Sequence, residues 1–238
     1  MATLDPATQS PDRRARLTPR PLVVVGGGEH AAVVIDAART NPDAWELRGF
    51  TDPNPGVGAS DRLGLAYLGD DTAVSDRLAP EHAEASWFVL GFGAPPEGRR
   101  ASVERFGRSM RWATVIHASA WVSPGAVLGE GTVVLAGATI NAGARLGRHV
   151  IVNTRSVVEH DVRVGDFAHL APGTIVGGGA AIGDDTFVGM GALVRDHVVV
   201  GARATVGMGA VVVGDIPDDT TIVGSPARVP PVSGHPEG

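Results

Sequence analysis

The stretch VVLAGATINAGARLGRHVIVNTRSVVEHDVRVG, residues 133–165, repeats one pattern every six residues. An aliphatic residue stands at each sixth position, and two positions before it stands Ala, Ser, Thr or Val. The seventeen aliphatic positions in this phase are Ile116, Val122, Leu128, Val134, Ile140, Leu146, Val152, Val158, Val164, Leu170, Val176, Ile182, Val188, Val194, Val200, Val206 and Val212. A fixed short period is typical of repeat folds, in which each unit buries its apolar face only against its neighbours.

A period of six matches neither the turn of an α-helix nor the alternation of a simple strand. It predicts a parallel β-helix in which three short strands per coil form a triangular prism. The aliphatic residue then points inward, and the small residue fits the tight corner beside it. About five coils fit between Ile116 and Val212, and no long loop is expected to leave them because the phase never slips.

The N-terminal part alternates strands and helices. PLVVVGGGEHAAVVIDAAR, residues 21–39, predicts a buried strand, a glycine turn and a helix. Further strands are expected in residues 47–52 and 86–93, and further helices near 70–79 and over 97–107. This alternation predicts a small Rossmann-like α/β domain with a parallel sheet, whose ligand crevice lies at the carboxyl ends of the strands.

Six residues are candidates for the rim of that crevice. The glycine turn fits the pattern G-x-G-x-x-A of nucleotide-binding turns, and an acidic residue ends the next strand. The candidates are Gly26, Gly27, Gly28, His30, Asp52 and Gly91. About ninety residues are too few for a full dinucleotide fold, so a mononucleotide or a nucleotide-sugar fits better. The alternative, that the glycines only permit a tight strand-to-helix turn, stays open.

Composition excludes several classes of function. The chain has 238 residues and no cysteine, which removes disulfides, thiolate metal sites and a cysteine nucleophile. A formal charge of -6 opposes binding to nucleic acid. No segment reaches the roughly 20 apolar residues that span a bilayer, and no apolar region of an export signal follows the N-terminal arginines, so we expect no membrane partner and a cytoplasmic location. Residues 1–20 and 230–238 are expected to be disordered.

Three short motifs carry a family resemblance: NTRSVVEHD at 153–161 with His169 downstream, IVGSPAR at 222–228, and GGGEH at 26–30. With the hexapeptide repeat, they resemble the bacterial sugar O- and N-acetyltransferases of the left-handed β-helix type. The resemblance is to the sialic-acid O-acetyltransferases and the UDP-4-amino-sugar N-acetyltransferases. It implies a nucleotide-sugar-binding domain over 21–112, an acetyl-CoA-binding left-handed β-helix over 113–229, and a homotrimer with the coenzyme between adjacent prisms.

The resemblance also implies roles for single residues. The histidine of the E-H-D motif, His160, is the general base, and Asp161 holds its imidazole and stabilises the imidazolium. An imidazole suits this task because the attacking amine must lose a proton near neutral pH. We expect Glu159 to be solvated or bound to the backbone. The positions implied to bind acetyl-CoA are His169, Asn153, Gly178, Met190 and Met208; ordinary packing remains an alternative for the two methionines.

The sequence thus predicts an acetyltransferase that acts by direct attack on acetyl-CoA, with a nucleotide-linked amino sugar as acceptor. A free sugar or a non-sugar amine remains an alternative acceptor, because Glu29 and Phe92 depart from the family pattern at the nucleotide end. A trimeric nucleotide-binding scaffold without catalysis is a further alternative. A nucleotidyltransferase would need a basic glycine-rich loop, which GGGEH lacks. No metal is expected, because His117, His149 and His197 lack a carboxylate-backed ligand spacing.

Overall fold

The structure is a computed structural model that describes residues 18–56, 58–70, 86–93, 96–106 and 110–230. The helix expected near 70–79 lies outside the described residues apart from its first position. So do most of the N-terminal segment and the last eight residues of the chain.

The N-terminal part forms a four-stranded parallel sheet with the strand order β2-β1-β3-β4. Its elements are β1 (Arg20–Val25), α1 (Glu29–Arg39), β2 (Trp45–Thr51), α2 (Ala59–Leu63), β3 (Trp87–Leu90), α3 (Pro96–Phe106) and β4 (Arg111–Trp112). The three expected strands and the helices after the first and third of them are confirmed. The short helix α2 and the edge strand β4 were not expected, because neither is long enough to show a periodic pattern.

Strand β1 begins one residue earlier than expected, at the end of the segment predicted to be disordered. Arg20 pairs with Trp45 of β2, and its guanidinium carbon lies 5.9 Å from the ring centre of Trp45 and 5.1 Å from that of Trp87. Cation–π contact with two rings orders this residue.

The C-terminal part is a parallel β-solenoid built of two-residue strands. They are β5 (Val115–Ile116), β6 (Trp121–Val122), β7 (Val127–Leu128), β8 (Val133–Val134), β9 (Thr139–Ile140), β10 (Arg145–Leu146), β11 (Ile151–Val152), β12 (Val157–Val158), β13 (Arg163–Val164), β14 (His169–Leu170), β15 (Ile175–Val176), β16 (Ala181–Ile182), β17 (Phe187–Val188), β18 (Leu193–Val194), β19 (Val199–Val200), β20 (Thr205–Val206), β21 (Val211–Val212) and β22 (Thr221–Ile222).

These strands form the three faces of a prism. The first face is β5-β8-β11-β14-β17-β20-β22, the second is β6-β9-β12-β15-β18-β21, and the third is β7-β10-β13-β16-β19. Three strands per coil give about six coils, one more than expected, because the pairing begins before Ile116 and continues to Ile222. The inward direction of the aliphatic residues is confirmed: from Val134 to Val212 all of them are buried. Those of the first coil are only partly buried because no coil precedes them.

The corners of the prism use left-handed backbone at a spacing of six residues. Gly143 has a φ of 76°, and Asp161, one coil further on, has a φ of 60°. Left-handed φ is unfavourable for most side chains, and Gly, Asn and Asp tolerate it best. The acidic residue after His160 therefore also suits the corner on structural grounds.

The N-terminal part packs on the first face. The outward residues Val115 and Val133 of this face are buried in the contact. The amide of Asn41 donates to the carbonyl of Ile116 over 2.6 Å. The outward residues of the second and third faces do not take part in the contact with the N-terminal residues that the structure describes.

The helix α3 is tied to the corner between the third and first faces. The guanidinium of Arg99 is fully buried and donates to the carbonyl of His149 over 2.9 Å and to that of Phe167. Arg100 bonds Asp185 over 2.7 Å. None of the described helices is long and apolar enough to cross a membrane.

Candidate active site

The predicted general base lies at the corner between the second and third faces. His160 and Asp161 form the turn between β12 and β13, and Nδ1 of His160 lies 3.0 Å from Oδ2 of Asp161. Their side chains are 63% and 72% exposed. When Nδ1–H donates to the carboxylate, Nε2 carries the lone pair and can accept a proton from outside the protein. The geometry is that of a histidine oriented by a carboxylate.

Gly178 lies one coil beyond His160 at the same corner. A Cβ built on Gly178 would lie 2.6 Å from Nε2 of His160, so the ring rests against the glycine backbone. The structure therefore brings together His160 and Gly178, two residues predicted to belong to the site.

Glu159 differs from the expectation of a solvated or backbone-bound residue. Its Oε2 accepts a hydrogen bond from the side-chain amide of Asn141 over 3.0 Å.

His169 lies on the first face, where it is 7% exposed. Its Nδ1 is 3.0 Å from the carbonyl oxygen of Gly93, and its Nε2 is 3.1 Å from the amide nitrogen of Asn153. The oxygen of the Asn153 amide accepts from the N–H of Thr154 over 2.8 Å, so the amide nitrogen is the donor to His169. This network fixes a neutral imidazole with its proton on Nδ1. Burial, and next the positive charge of Arg99, lower the pKa of His169 to about 3.

His30 at the start of α1 lies next to His169, with 6.2 Å between the ring centres. Burial, followed by the charge of Arg99, lowers the pKa of His30 to about 4, so this ring is also neutral near pH 7. Its Nε2 is buried and has no hydrogen-bond partner among the described residues. The structure therefore joins His30, His169, Asn153 and Gly93 where the carboxyl edge of the sheet meets the prism.

The glycine turn is packed tightly by two aromatic rings. A Cβ on Gly26 would lie 2.7 Å from the ring of Phe92, and a Cβ on Gly27 would lie 2.6 Å from the ring of Phe50. Gly26 also has a φ of 99°. A Cβ on Gly91 would lie 2.7 Å from the carbonyl oxygen of Gly26. Close packing is thus sufficient to explain these three glycines, whereas a Cβ on Gly28 would meet nothing within 4 Å.

Asp52 holds the glycine turn. Its Oδ2 accepts from the N–H of Gly27 over 2.6 Å, and its Oδ1 accepts from the N–H of Asn54 over 2.8 Å. Tyr67, whose ring is exposed, donates to the carbonyl of Asp52 over 2.9 Å. Asp52 therefore lies at the rim as expected, with both carboxylate oxygens bonded to backbone.

Sequence reasoning missed one cation at this rim. Arg62 of α2 donates to the carbonyls of Gly27 and Gly28. No sequence pattern pointed to Arg62, because α2 is a single short turn and its contact with the glycine turn spans more than thirty residues.

Met190 and Met208 lie one coil apart at the corner between the first and second faces, and they are 54% and 76% exposed. This is a different corner from that of His160. The corner of His160 is the one opposite the first face, which carries His169 and the N-terminal sheet. Within one chain, the structure therefore does not bring His160 together with His169, the methionines or the glycine turn.

The described ranges contain no group of three histidine or acidic side chains that could hold a metal ion.

Comparisons with known proteins give matches among solved structures. No protein-family profile and no curated protein matches the chain. The acetyltransferase domain of PglB from Neisseria gonorrhoeae, solved with acetyl coenzyme A, is 34% identical; the match covers 89% of this chain and 99% of that one, with a TM-score of 0.80. PerB from Caulobacter crescentus, solved with CoA and GDP-perosamine, is 36% identical; the match covers 89% of this chain and 97% of that one, with a TM-score of 0.80.

WeeI from Acinetobacter baumannii, at 20% identity and a TM-score of 0.65 over 88% of this chain and 99% of that one, supports the fold alone. The PglB domain and PerB match this chain in fold along nearly their whole length, and their sequence identity to it is above one third. The chain therefore belongs to the hexapeptide-repeat sugar acetyltransferases.

Proposed function

We propose that the protein transfers the acetyl group of acetyl-CoA to the amine of a nucleotide-linked amino sugar, with His160 as general base. The observation that carries this proposal is the exposed His160–Asp161 pair at a corner of the prism, in which the carboxylate lies 3.0 Å from Nδ1 of the histidine and leaves the lone pair to Nε2. The PglB domain and PerB support it, since they were solved with acetyl-CoA and with CoA plus GDP-perosamine. PerB was also solved with one histidine changed to Asn or Ala.

The chemistry requires only one proton acceptor from the protein. As the amine attacks the thioester carbon, Nε2 of His160 takes the proton of the nitrogen, and Asp161 stabilises the imidazolium. The tetrahedral intermediate then expels the thiolate of CoA, which takes the proton from the imidazolium of His160 and so restores the neutral base. A backbone N–H or a histidine donor to the thioester oxygen and the alignment of both substrates supply the remaining catalysis. No acyl-enzyme is needed, and the chain has no cysteine to form one.

The proposed site lies between protomers of a homotrimer. Because His160 is opposite the first face, it can meet the sheet edge or the His169 cluster only of a neighbouring chain. The second face supports such association, since three of its outward residues, Trp121, Ile175 and Leu193, are exposed and apolar. Sedimentation is expected to give a trimer, and a monomer at micromolar concentration would remove the shared site.

We assign the coenzyme to the solenoid domain, 113–229, with the left-handed coil of the family. His169 and Asn153 would contact its acetyl end, and this requires their mutual hydrogen bond to open or to be shared with the ligand. Gly178, Met190 and Met208 would line the pantetheine arm. The exposure of both methionines is consistent with a ligand or a neighbouring chain at that corner.

We assign the nucleotide to the domain over 21–112, at the start of α1. The N–H groups of a helix N-terminus favour phosphate, and the exposed Gly28 leaves open space there. His30 would lie near the phosphates and Asp52 near the ribose or base.

The deciding experiment is a substrate panel. UDP-, GDP- and dTDP-linked amino sugars are compared with the corresponding free sugars, with release of the CoA thiol as the readout. The proposal expects at least one nucleotide-linked sugar to react far faster than its free form, and equal rates would remove the nucleotide. If no acceptor reacts and acetyl-CoA gives no thermal stabilisation, the scaffold alternative is correct, since a saturating ligand must raise the melting temperature.

A further inference from the structure

The proposed nucleotide site has an unfavourable charge. Glu29 occupies the first turn of α1, and Asp52 lies at the end of the neighbouring strand. A diphosphate approaching the start of α1 would therefore meet two carboxylates. The neutral His30 does not offset them, because burial lowers its pKa to about 4. The turn needs a cation if it is to hold a nucleoside diphosphate.

Arg62 is a cation anchored at the required place. Nη1 donates to the carbonyl of Gly28 over 3.2 Å, and Nη2 donates to that of Gly27. The helix that carries Arg62 is itself fixed, because Leu63 is 2% exposed and packs in the core. A guanidinium has five N–H donors, and these two bonds leave others for a ligand. Arg62 is exposed and has no acidic side chain bonded to it among the described contacts.

We propose that Arg62 binds the diphosphate of the nucleotide-linked acceptor and compensates the charge of Glu29. The inference rests on the proposed function and names a specificity-determining residue for it. Carbonyl contacts orient the planar fork across the glycine turn, so its remaining N–H groups can bind phosphate oxygens in pairs, as lysine cannot. Arg62 thereby selects acceptors that carry phosphate over free sugars.

The test compares Arg62→Gln, Arg62→Lys and a matched control. Loss of a charge-assisted contact is expected to raise the KM for the nucleotide-linked sugar by roughly 10- to 100-fold, while the KM for acetyl-CoA stays the same. Arg62→Lys should fall between Arg62→Gln and the unmodified protein. Arg39→Gln is the control, since Arg39 also donates to two backbone carbonyls beside α2, those of Leu63 and Gly64, but at the opposite end of α1.

A second readout keeps this test separate from the reaction. Binding of GDP, UDP and dTDP is measured by calorimetry at low and high salt, because a phosphate contact weakens as salt rises. The Arg62→Gln variant should bind the nucleotides more weakly, and its affinity should depend less on salt. The Glu29→Gln variant should bind them more tightly. If acetyl transfer occurs but Arg62→Gln behaves like Arg39→Gln, the inference is wrong and the proposed function stands. If the unmodified protein binds none of GDP, UDP and dTDP, the inference is wrong as well.

Discussion

Nε2 of His160 would lie 2.6 Å from a Cβ on Gly178, one coil further along the prism. Gly178→Ala should therefore push the imidazole aside without strain in the backbone, because Gly178 does not have a left-handed φ. The expected result is a fall in kcat of roughly tenfold or more, since a misplaced base transfers protons poorly. Gly125→Ala is the control, because the nearest atom to its Cβ would be 3.9 Å away.

Circular dichroism and the melting temperature establish that Gly178→Ala is folded. Unchanged kcat in a folded Gly178→Ala protein would mean that the position of the His160 ring does not govern the reaction.

Three buried histidines make the stability depend on pH. Burial is the main cause that lowers the pKa to about 4 in His30, to about 4 in His149 and to about 3 in His169. The unfolded chain binds protons on them near pH 6.5, whereas the folded chain does not until the pH is much lower. Stability should thus be complete above pH 7 and fall as the pH drops below 6.5, to about pH 4 for His30 and His149 and to about pH 3 for His169. The loss is roughly 2 kcal/mol for each histidine at pH 5.

His149→Phe isolates one of these three contributions. The ring of His149 stacks on Phe167 with 4.8 Å between centres, and its Nδ1 is buried with no hydrogen-bond partner in the part of the chain that the structure describes. Phenylalanine already occupies the same corner position one coil on, at Phe167, so the replacement is expected to fold. Urea unfolding at pH 7 and pH 5 should show about a third less pH dependence. An unchanged slope would contradict the assignment of His149 as a buried neutral group.

Adjacent residues on the second face should respond to aspartate in opposite ways. Val176 is fully buried in the prism, so Val176→Asp places an unpaired charge in the core and should prevent folding, as Val164→Asp should. Ile175 is exposed in the single chain, so Ile175→Asp should fold but weaken trimer association. Sedimentation and urea unfolding distinguish these outcomes. Cooperative unfolding of soluble Val176→Asp would refute its inward direction.

The solenoid was predictable because its period is local. Val158 is fully buried and His160 is exposed, as the six-residue phase predicts. Val158 ends a strand and points inward, whereas His160 lies in the corner that follows and points away from the core. The strand, glycine turn and helix over residues 21–39 were predictable for the same reason, because their pattern lies within one short window.

Contacts between distant segments were not predictable. Arg99 reaches the carbonyl of His149 across fifty positions, and His169 reaches Gly93 across seventy-six. No periodic pattern indicates such pairs, because they depend on how the sheet docks on the first face. The structure separates His160 from His169 by the width of the prism, and only the topology shows this.

The two carboxylates beside His160 should differ in their effect on kcat. Asp161→Asn keeps the shape of the side chain but removes the charge that stabilises the imidazolium, so kcat should fall, though less than on removal of His160. Glu159→Gln should be nearly silent, because Glu159 accepts a hydrogen bond from Asn141 and not from the histidine. Steady-state kinetics on both variants measure this. Equal losses would mean that Asp161 has no special role.

His160→Ala tests the central claim most directly. If His160 is the general base, kcat at saturating substrates should fall by roughly 10²- to 10⁴-fold, while the affinity for acetyl-CoA measured by calorimetry stays almost unchanged. His160→Asn should behave alike. Because the ring is exposed, both variants are expected to fold, and the melting temperature verifies this. A His160→Ala protein that retains more than about a third of the original kcat would contradict the account, because removal of a general base costs far more.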